Sequence, residues 1–256
     1  MRVVCPILSF LLFFSSSLQV NSQQPIPISA ATRDPQALSL LTRCSSAMGA
    51  SLPNPDFYAV GAITPTNPSN PASTFVLKSK STNQVRSEIT LPSGVQTFVV
   101  NNGRGFSLIA GKRNNLALHA TAYFRPEHLS AFACSIDLAR SSVSVAYVGL
   151  ESLQAATVHH LLFKSASSNP LEQLISEFHV YLDANTLRVI KTATWVFAPD
   201  AIDNRSLWET YYDNYQPVAG ILIPMHMEHF LAGTKLDEWT FTSVRTDVPV
   251  AEGDFN

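Results

Sequence analysis

Residues 177–199 place the strongest constraint on how this chain can fold. Two runs rich in β-branched and aromatic residues, 178–182 and 187–197, flank Asp183-Ala184-Asn185-Thr186. Asp and Asn tolerate left-handed backbone and hydrogen-bond their own turns, so the spacing predicts a β-hairpin. Phe178, Val180 and Leu182 fall on one face of the first strand, and His179, Tyr181 and Asp183 on the other. Both faces carry apolar bulk, which places the hairpin inside a larger curved sheet.

The rest of the chain supplies neighbours for it. Strands are expected over 57–64, 73–80, 85–91, 95–101, 105–111, 142–149, 157–164, 207–216, 220–231 and 235–246, with Asn102-Gly103 as a two-residue hairpin turn. The proline- and asparagine-rich 65–71, the polar 165–171 and the stretch 200–205 are expected as loops. Asp34 is a good N-cap, Pro35 suits the first helical position, and the following helix runs to Met48 with Gly49 as its stop. Residues 114–140 break the strand rhythm and are expected as two short helices joined near Arg125-Pro126. The last residues, 249–256, read as polar with Phe255 as an anchor. The sum is a mainly β (α+β) chain. One antiparallel sheet of about eleven strands must curl to hide its edges, with an N-terminal helix and a mid-chain helical lid against its concave face.

Charge narrows the partners. Charged residues are 14% of the chain and the formal net charge is −2, so no basic field exists to hold nucleic acid. With 46% hydrophobic residues and 15 phenylalanines, the chain can bury a large core. Residues 1–22 read as a signal peptide: Arg2, an apolar run from Val3 to Phe14, then small polar residues. The expected mature domain is 23–256, a single unit in the periplasm or secreted, peripheral to a membrane at most. Cys5 lies at the front of the signal. The mature pair, Cys44 and Cys134, is either a disulfide closing a loop of about 90 residues or two buried thiols.

Catalytic and metal motifs are weak. In a strand, His226 and His229 point to opposite faces, as do His159 and His160, so neither pair can chelate one ion there. Met225, Met227 and His229 share a face that could hold soft copper, but methionines filling an apolar wall are the simpler reading. Asn102-Gly103-Arg104-Gly105 lacks the following helix that phosphate binding needs. Asn204-Arg205-Ser206 is a glycosylation sequon, a weak signal by itself. Carboxylates are scattered without the paired spacing of glycoside hydrolysis. Neither a metal nor a cofactor is expected.

Three stretches resemble the LolA-like superfamily of outer-membrane lipoprotein carriers and receptors and RseB-like periplasmic proteins. They are the exported helix ending Ala47-Met48-Gly49, the strand-turn-strand Val180-Tyr181-Leu182-Asp183-Ala184-Asn185-Thr186-Leu187-Arg188, and Tyr212-Asp213-Asn214-Tyr215-Gln216-Pro217-Val218-Ala219-Gly220-Ile221-Leu222-Ile223-Pro224. The resemblance implies a half-open β-barrel with a helical lid and an apolar cavity, and binding rather than catalysis. By alternation, Phe75, Leu77, Ile89, Leu91, Phe98, Val100, Phe106, Leu108, Trp195 and Phe197 are expected to line the concave face. The other outcome is a core filled solid by the helices. The expected ligand is a lipid or the acyl chain of a lipoprotein. The alternatives are an envelope sensor domain whose concave face accepts a protein partner, and a hydrolase using scattered residues such as His159 and His226.

Overall fold

The computed structural model describes residues 33–49, 56–80, 84–123, 133, 143–167, 169–198, 201–246 and 248–256. The signal stretch, Cys134 and the Arg125-Pro126 junction lie outside the described residues. Thirteen strands form one sheet in the order β6-β5-β4-β3-β2-β1-β13-β12-β11-β10-β9-β8-β7. They are β1 Phe57–Pro65, β2 Ser73–Lys80, β3 Gln84–Leu91, β4 Gly94–Asn101, β5 Arg104–Ile109, β6 Lys112–Asn115, β7 Val143–Leu153, β8 Ala156–Ser165, β9 Phe178–Asp183, β10 Val189–Ala198, β11 Ala201–Val218, β12 Ile221–Leu231 and β13 Thr234–Arg245. Every ladder is antiparallel, and the β1–β13 pairing joins two meanders into a single surface.

Helix α1, Pro35–Ala47, begins where the capping residues place it: Asp34 Oδ1 accepts from the N–H groups of Gln36 (2.7 Å) and Ala37 (3.2 Å). Its two ends are tied to distant strands. The Asp34 N–H donates to the Val145 carbonyl of β7, and the Leu222 N–H of β12 donates to the Met48 carbonyl. Gly49 has φ +73°, and a Cβ there would lie 2.0 Å from the Gly220 carbonyl oxygen. Glycine is therefore required twice at this stop, for the backbone angle and for the close approach.

Ala37, Leu40, Leu41, Cys44 and Met48 of α1 belong to one apolar cluster with residues from eleven strands, among them Phe57, Phe75, Ile89, Leu161, Val180 and Phe241. The sheet face that meets α1 is the inner face. A helix of thirteen residues is about 20 Å long. Thirteen flat strands would span roughly 58 Å. The helix cannot cover such a width, so the sheet must curl. Helix α2, Leu118–Tyr123, shows the curl directly: six residues pack against both β5 and β10, which stand eight places apart in the strand order. The sheet stays open, with β6 and β7 at its two edges.

Three expectations are corrected. Residues 112–115 form β6, which alternation could not show because all four side chains are polar and exposed. Residues 170–175 form helix α3, Pro170–Ile175, which starts in the last two residues of the expected loop 165–171 and continues past it; Asn169 caps it and Pro170 starts it. The expected loop at 200–205 is largely strand, since β11 begins at Ala201 and pairs with the end of β10. The expected lid is described only as α2 and the helical residue Ala133, which is fully buried in the inner cluster.

Candidate functional site

Paired residues across an antiparallel ladder share a face, so the register assigns the walls. One inner-face row runs Gln96–Ile89–Phe75–Gly61–Phe241. The row on one side is Phe98–Ser87–Leu77–Ala59, and that on the other includes Ile63, Trp239, Met227 and Tyr212. Gly61 is small for a reason: a Cβ there would lie 2.6 Å from the Phe75 ring. Phe75 fills that space, with ring centroids 4.5 Å from Trp239 and 5.3 Å from Phe241.

Into this apolar surface the chain sets a few polar groups. His229 and Asp237 pair at 2.7 Å, and Thr192 and Tyr212 hydroxyls lie 2.8 Å apart. Burial raises the Tyr212 hydroxyl well above its ordinary value. Among the described residues, three buried polar atoms of this face have no hydrogen-bond partner: Ser87 Oγ, Gln96 Oε1 and Trp239 Nε1. An orphaned buried polar atom is costly and calls for a specific explanation. These three lie on neighbouring inner-face rows around Phe75. Cys44, fully buried on α1, is disulfide-bonded; its partner lies outside the described residues.

The ten residues expected on one wall divide between two. Phe75, Leu77, Ile89, Leu91 and Phe98 join the inner cluster, and Val100 shares their face through its pairing with Val85. Phe106 pairs with Val99 and Leu108 with Thr97, both on the outer face, where Val250 and Phe255 cover Phe106. Trp195 and Phe197 alternate with Thr194 and point outward, packing with Ile175 of α3. The expectation failed there because both faces of β4, β5 and β10 are apolar, and alternation cannot say which face is inside when both are buried.

The outer face of β8–β10 carries a polar chain that sequence reading missed. Glu151 Oε1 meets His160 Nδ1 at 2.5 Å, His160 Nε2 meets His179 Nδ1 at 2.8 Å, and His179 Nε2 meets Glu177 Oε1 at 3.1 Å. Glu177 also accepts from Trp195 Nε1 (2.8 Å) and pairs with Lys164 (2.8 Å). Burial opposes ionisation of Glu177, but the hydrogen bonds from His179, Lys164 and Trp195 outweigh it and hold the carboxyl at about 2. Burial lowers the His160 pKa, with Glu151 opposing. Tyr181 stacks on His160 at 4.3 Å, and Lys191 lies 4.8 Å over the Tyr181 ring. The signal for this chain was the outward alternation of His179 with the pairing of β8 to β9, which only the register reveals.

The histidines weighed for hydrolysis do not meet. His159 faces inward against the Tyr147 hydroxyl (3.2 Å), whereas His226 faces outward between Asp213 (2.9 Å) and Glu238 (3.5 Å). His226, Glu228 and Glu238 bring three potential ligand atoms within 4.8 Å of one another, and Lys235 bridges the two glutamates. A resident ammonium already occupies the space between the two carboxylates.

An open antiparallel half-barrel curled over one apolar helix is a LolA-like fold. Among solved structures, the LolA superfamily protein NE2245 from Nitrosomonas europaea is similar with a TM-score of 0.58 at 14% identity, over 86% of this chain and 97% of that one. A domain assigned as an outer membrane lipoprotein-sorting protein, from Vibrio parahaemolyticus, gives 0.57 at 13% identity over 86% and 96%. A DUF1329 family protein from Desulfovibrio piger gives 0.54 at 10% identity over 90% and 98%. No family model matches the sequence, and no curated protein matches it. Among the described residues, no helix is long and apolar enough to cross a membrane.

Proposed function

We propose that this chain is an exported binding protein, not an enzyme, that holds the acyl chain of a lipid or lipoprotein against its inner face. The observation that carries the reading is the set of polar atoms unpartnered among the described residues, Ser87 Oγ, Gln96 Oε1 and Trp239 Nε1, within a mainly apolar wall. Ligand sites of this kind are mostly apolar with a few convergent polar groups. Two donors and an acceptor beside Phe75 suit a long apolar chain that carries one ester or amide joint. The similar structures include a lipoprotein-sorting protein domain, which agrees with this ligand class. The signal-like residues 1–22 support export to the periplasm or beyond.

The test is purification without detergent, solvent extraction and mass spectrometry, followed by titration of the extracted protein with a fluorescent fatty acid. A stoichiometric lipid, or saturable uptake of the fatty acid, is expected. Protein that yields no lipid and takes up no fatty acid would overturn the reading. A protein partner at the inner face is the second reading, drawn from the exposure of Leu150 (60%), an inner-row residue on the edge strand β7. It expects a stable complex with an envelope protein and no extracted lipid.

A further inference from the structure

We infer that the outer face of β2–β5 is a docking groove for a partner polypeptide bearing an acidic-x-acidic-aromatic segment, and that residues 252–255 of this chain occupy it in cis. This inference is independent of the inner-face ligand. The outer rows of these strands read Lys78–Arg86–Val99–Phe106 and Lys80–Gln84–Asn101–Arg104. They form an apolar pit rimmed by cations. Strands β2–β6 carry a single carboxylate, Glu88, against five outward cations: Lys78, Lys80, Arg86, Arg104 and Arg113. That local excess is unusual in a chain of net charge −2.

The one-turn 3-10 helix Glu252–Phe255 shows what the groove recognises. Phe255 is 1% exposed and packs against Val99, Phe106 and Val250. Lys78 Nζ lies 2.6 Å from Asp254 and Lys80 Nζ 2.8 Å from Glu252. Gln84 Nε2 donates to Glu252 (3.0 Å), and Arg86 donates to the Asp254 carbonyl (3.0 Å). A side chain at Gly253 would meet open space, so the position between the two carboxylates is unrestricted. A single helical turn does not hold itself together in water, so its conformation is imposed by the groove. Recognition runs through an aromatic anchor, two carboxylates and one backbone carbonyl. All of these are features another chain can supply. Two of the five cations meet carboxylates of the cis segment. Arg104 and Arg113 extend the positive rim toward acidic residues flanking such a segment. The cis segment competes at high effective concentration, so it acts as a built-in inhibitor of docking.

The test uses the full chain, a fluorescein-labelled peptide Val-Ala-Glu-Gly-Asp-Phe-Asn, and fluorescence anisotropy. The Phe255→Ala variant, whose own anchor is removed, is expected to bind the peptide at least tenfold more tightly than wild type. Binding should weaken with salt and disappear with an alanine in place of the peptide's phenylalanine, or when Lys78→Glu is added to the variant. A Glu252→Ala/Asp254→Ala variant keeps Phe255 but loses both ion pairs to the groove, so it should take up the peptide more tightly than wild type and serves as the second test where Phe255→Ala folds poorly. Folded variants that take up no peptide would overturn the proposal, as would equal binding of a scrambled peptide. Reciprocal exchange of the segment between two copies, seen as a wild-type dimer that ignores free peptide, would assign the groove to a second copy and also overturn it.

Discussion

His160 Nε2 lies 2.8 Å from His179 Nδ1, so two buried rings on adjacent strands share a single proton position. Glu151 closes the pair toward solvent and Glu177 closes it toward the interior. The arrangement makes His160 and Glu177 two sources of pH-dependent stability.

The His160 pKa is lowered from its ordinary 6.5, first by burial. Between its folded and unfolded values the unfolded chain binds more protons, so stability is full above 6.5 and declines as pH falls below it. Glu177 is held at about 2 against an ordinary 4.5. Its contribution, on the order of 3 kcal/mol, is present above 4.5 and lost as pH falls toward 2. Thermal melts across pH should therefore show two declining regions, one below 6.5 and one below 4.5. His160→Gln should lessen the upper one, to which His119 and His159 also contribute, and Glu177→Gln the lower, which it shares with Asp183, Glu238, Glu252 and Asp254. An unchanged upper region in His160→Gln would show that other groups govern it.

Gly49 predicts a sharp local sensitivity. Gly49→Ala places a Cβ 2.0 Å from the Gly220 carbonyl at φ +73°. The helix stop must lift off β12, and the hydrogen bond from Leu222 to Met48 is lost with it. A destabilisation of more than about 2 kcal/mol is expected by urea unfolding. Gly253→Ala, with open space around it, is the matched control and should be near neutral.

The disulfide at Cys44 gives a direct chemical check. Cys134 is the expected partner, next to Ala133, which is fully buried in the same cluster as Cys44. Peptide mapping without reduction should recover a 44–134 cross-link, and Cys134→Ser should leave one thiol, on buried Cys44, that is titrated after denaturation. Loss of the bond should cost roughly 2–4 kcal/mol. A reactive Cys134 in the wild-type protein would rule this pairing out.

If the inner wall holds an acyl chain, its orphaned polar atoms should matter to the ligand more than to the fold. Gln96→Leu and Trp239→Phe each remove an unpartnered atom from the apolar surroundings. Stability should hold or rise slightly in Gln96→Leu, because no hydrogen bond within the protein is broken, whereas Trp239→Phe also gives up packing against Phe75 and should lose some stability. Affinity for a fatty acid ester should fall severalfold. Unchanged affinity in both variants would place the ligand's polar joint elsewhere.

How much of this was legible beforehand depended on whether a strand had one buried face or two. β2 and β3 alternate cleanly, and Phe75, Leu77 and Ile89 fall where the sequence pattern puts them. β4 buries five consecutive residues, so its inner Phe98 and outer Val99 look alike in sequence. The Asp183 turn formed as its chemistry requires, with Oδ1 accepting from the Asn185 and Thr186 N–H groups, yet the left-handed residue is Leu187 rather than Asp or Asn. The polar chain from Glu151 to Glu177 was invisible because its members come from three strands and meet only through register.

The hairpin turns offer a way to stabilise the fold without touching either face. Asn102-Gly103 shows the favoured pattern, both residues left-handed at φ 50° and 78°. Three other turns repeat this geometry with alanine in the first position: Ala110 (φ 50°), Ala219 (φ 47°) and Ala232 (φ 47°), each followed by glycine. Alanine there carries a steric cost of roughly 1 kcal/mol, which asparagine lowers by bonding its own backbone. It is also why alanine gave no turn signal at 110–111 and β6 went unread. All three positions are exposed and lie in separate turns, so their effects should add. Asn at Ala110, Ala219 and Ala232 together should gain about 1–2 kcal/mol, seen as a higher urea midpoint at an unchanged slope. A midpoint that stays level or falls would mean that the alanine backbone in these turns is not strained.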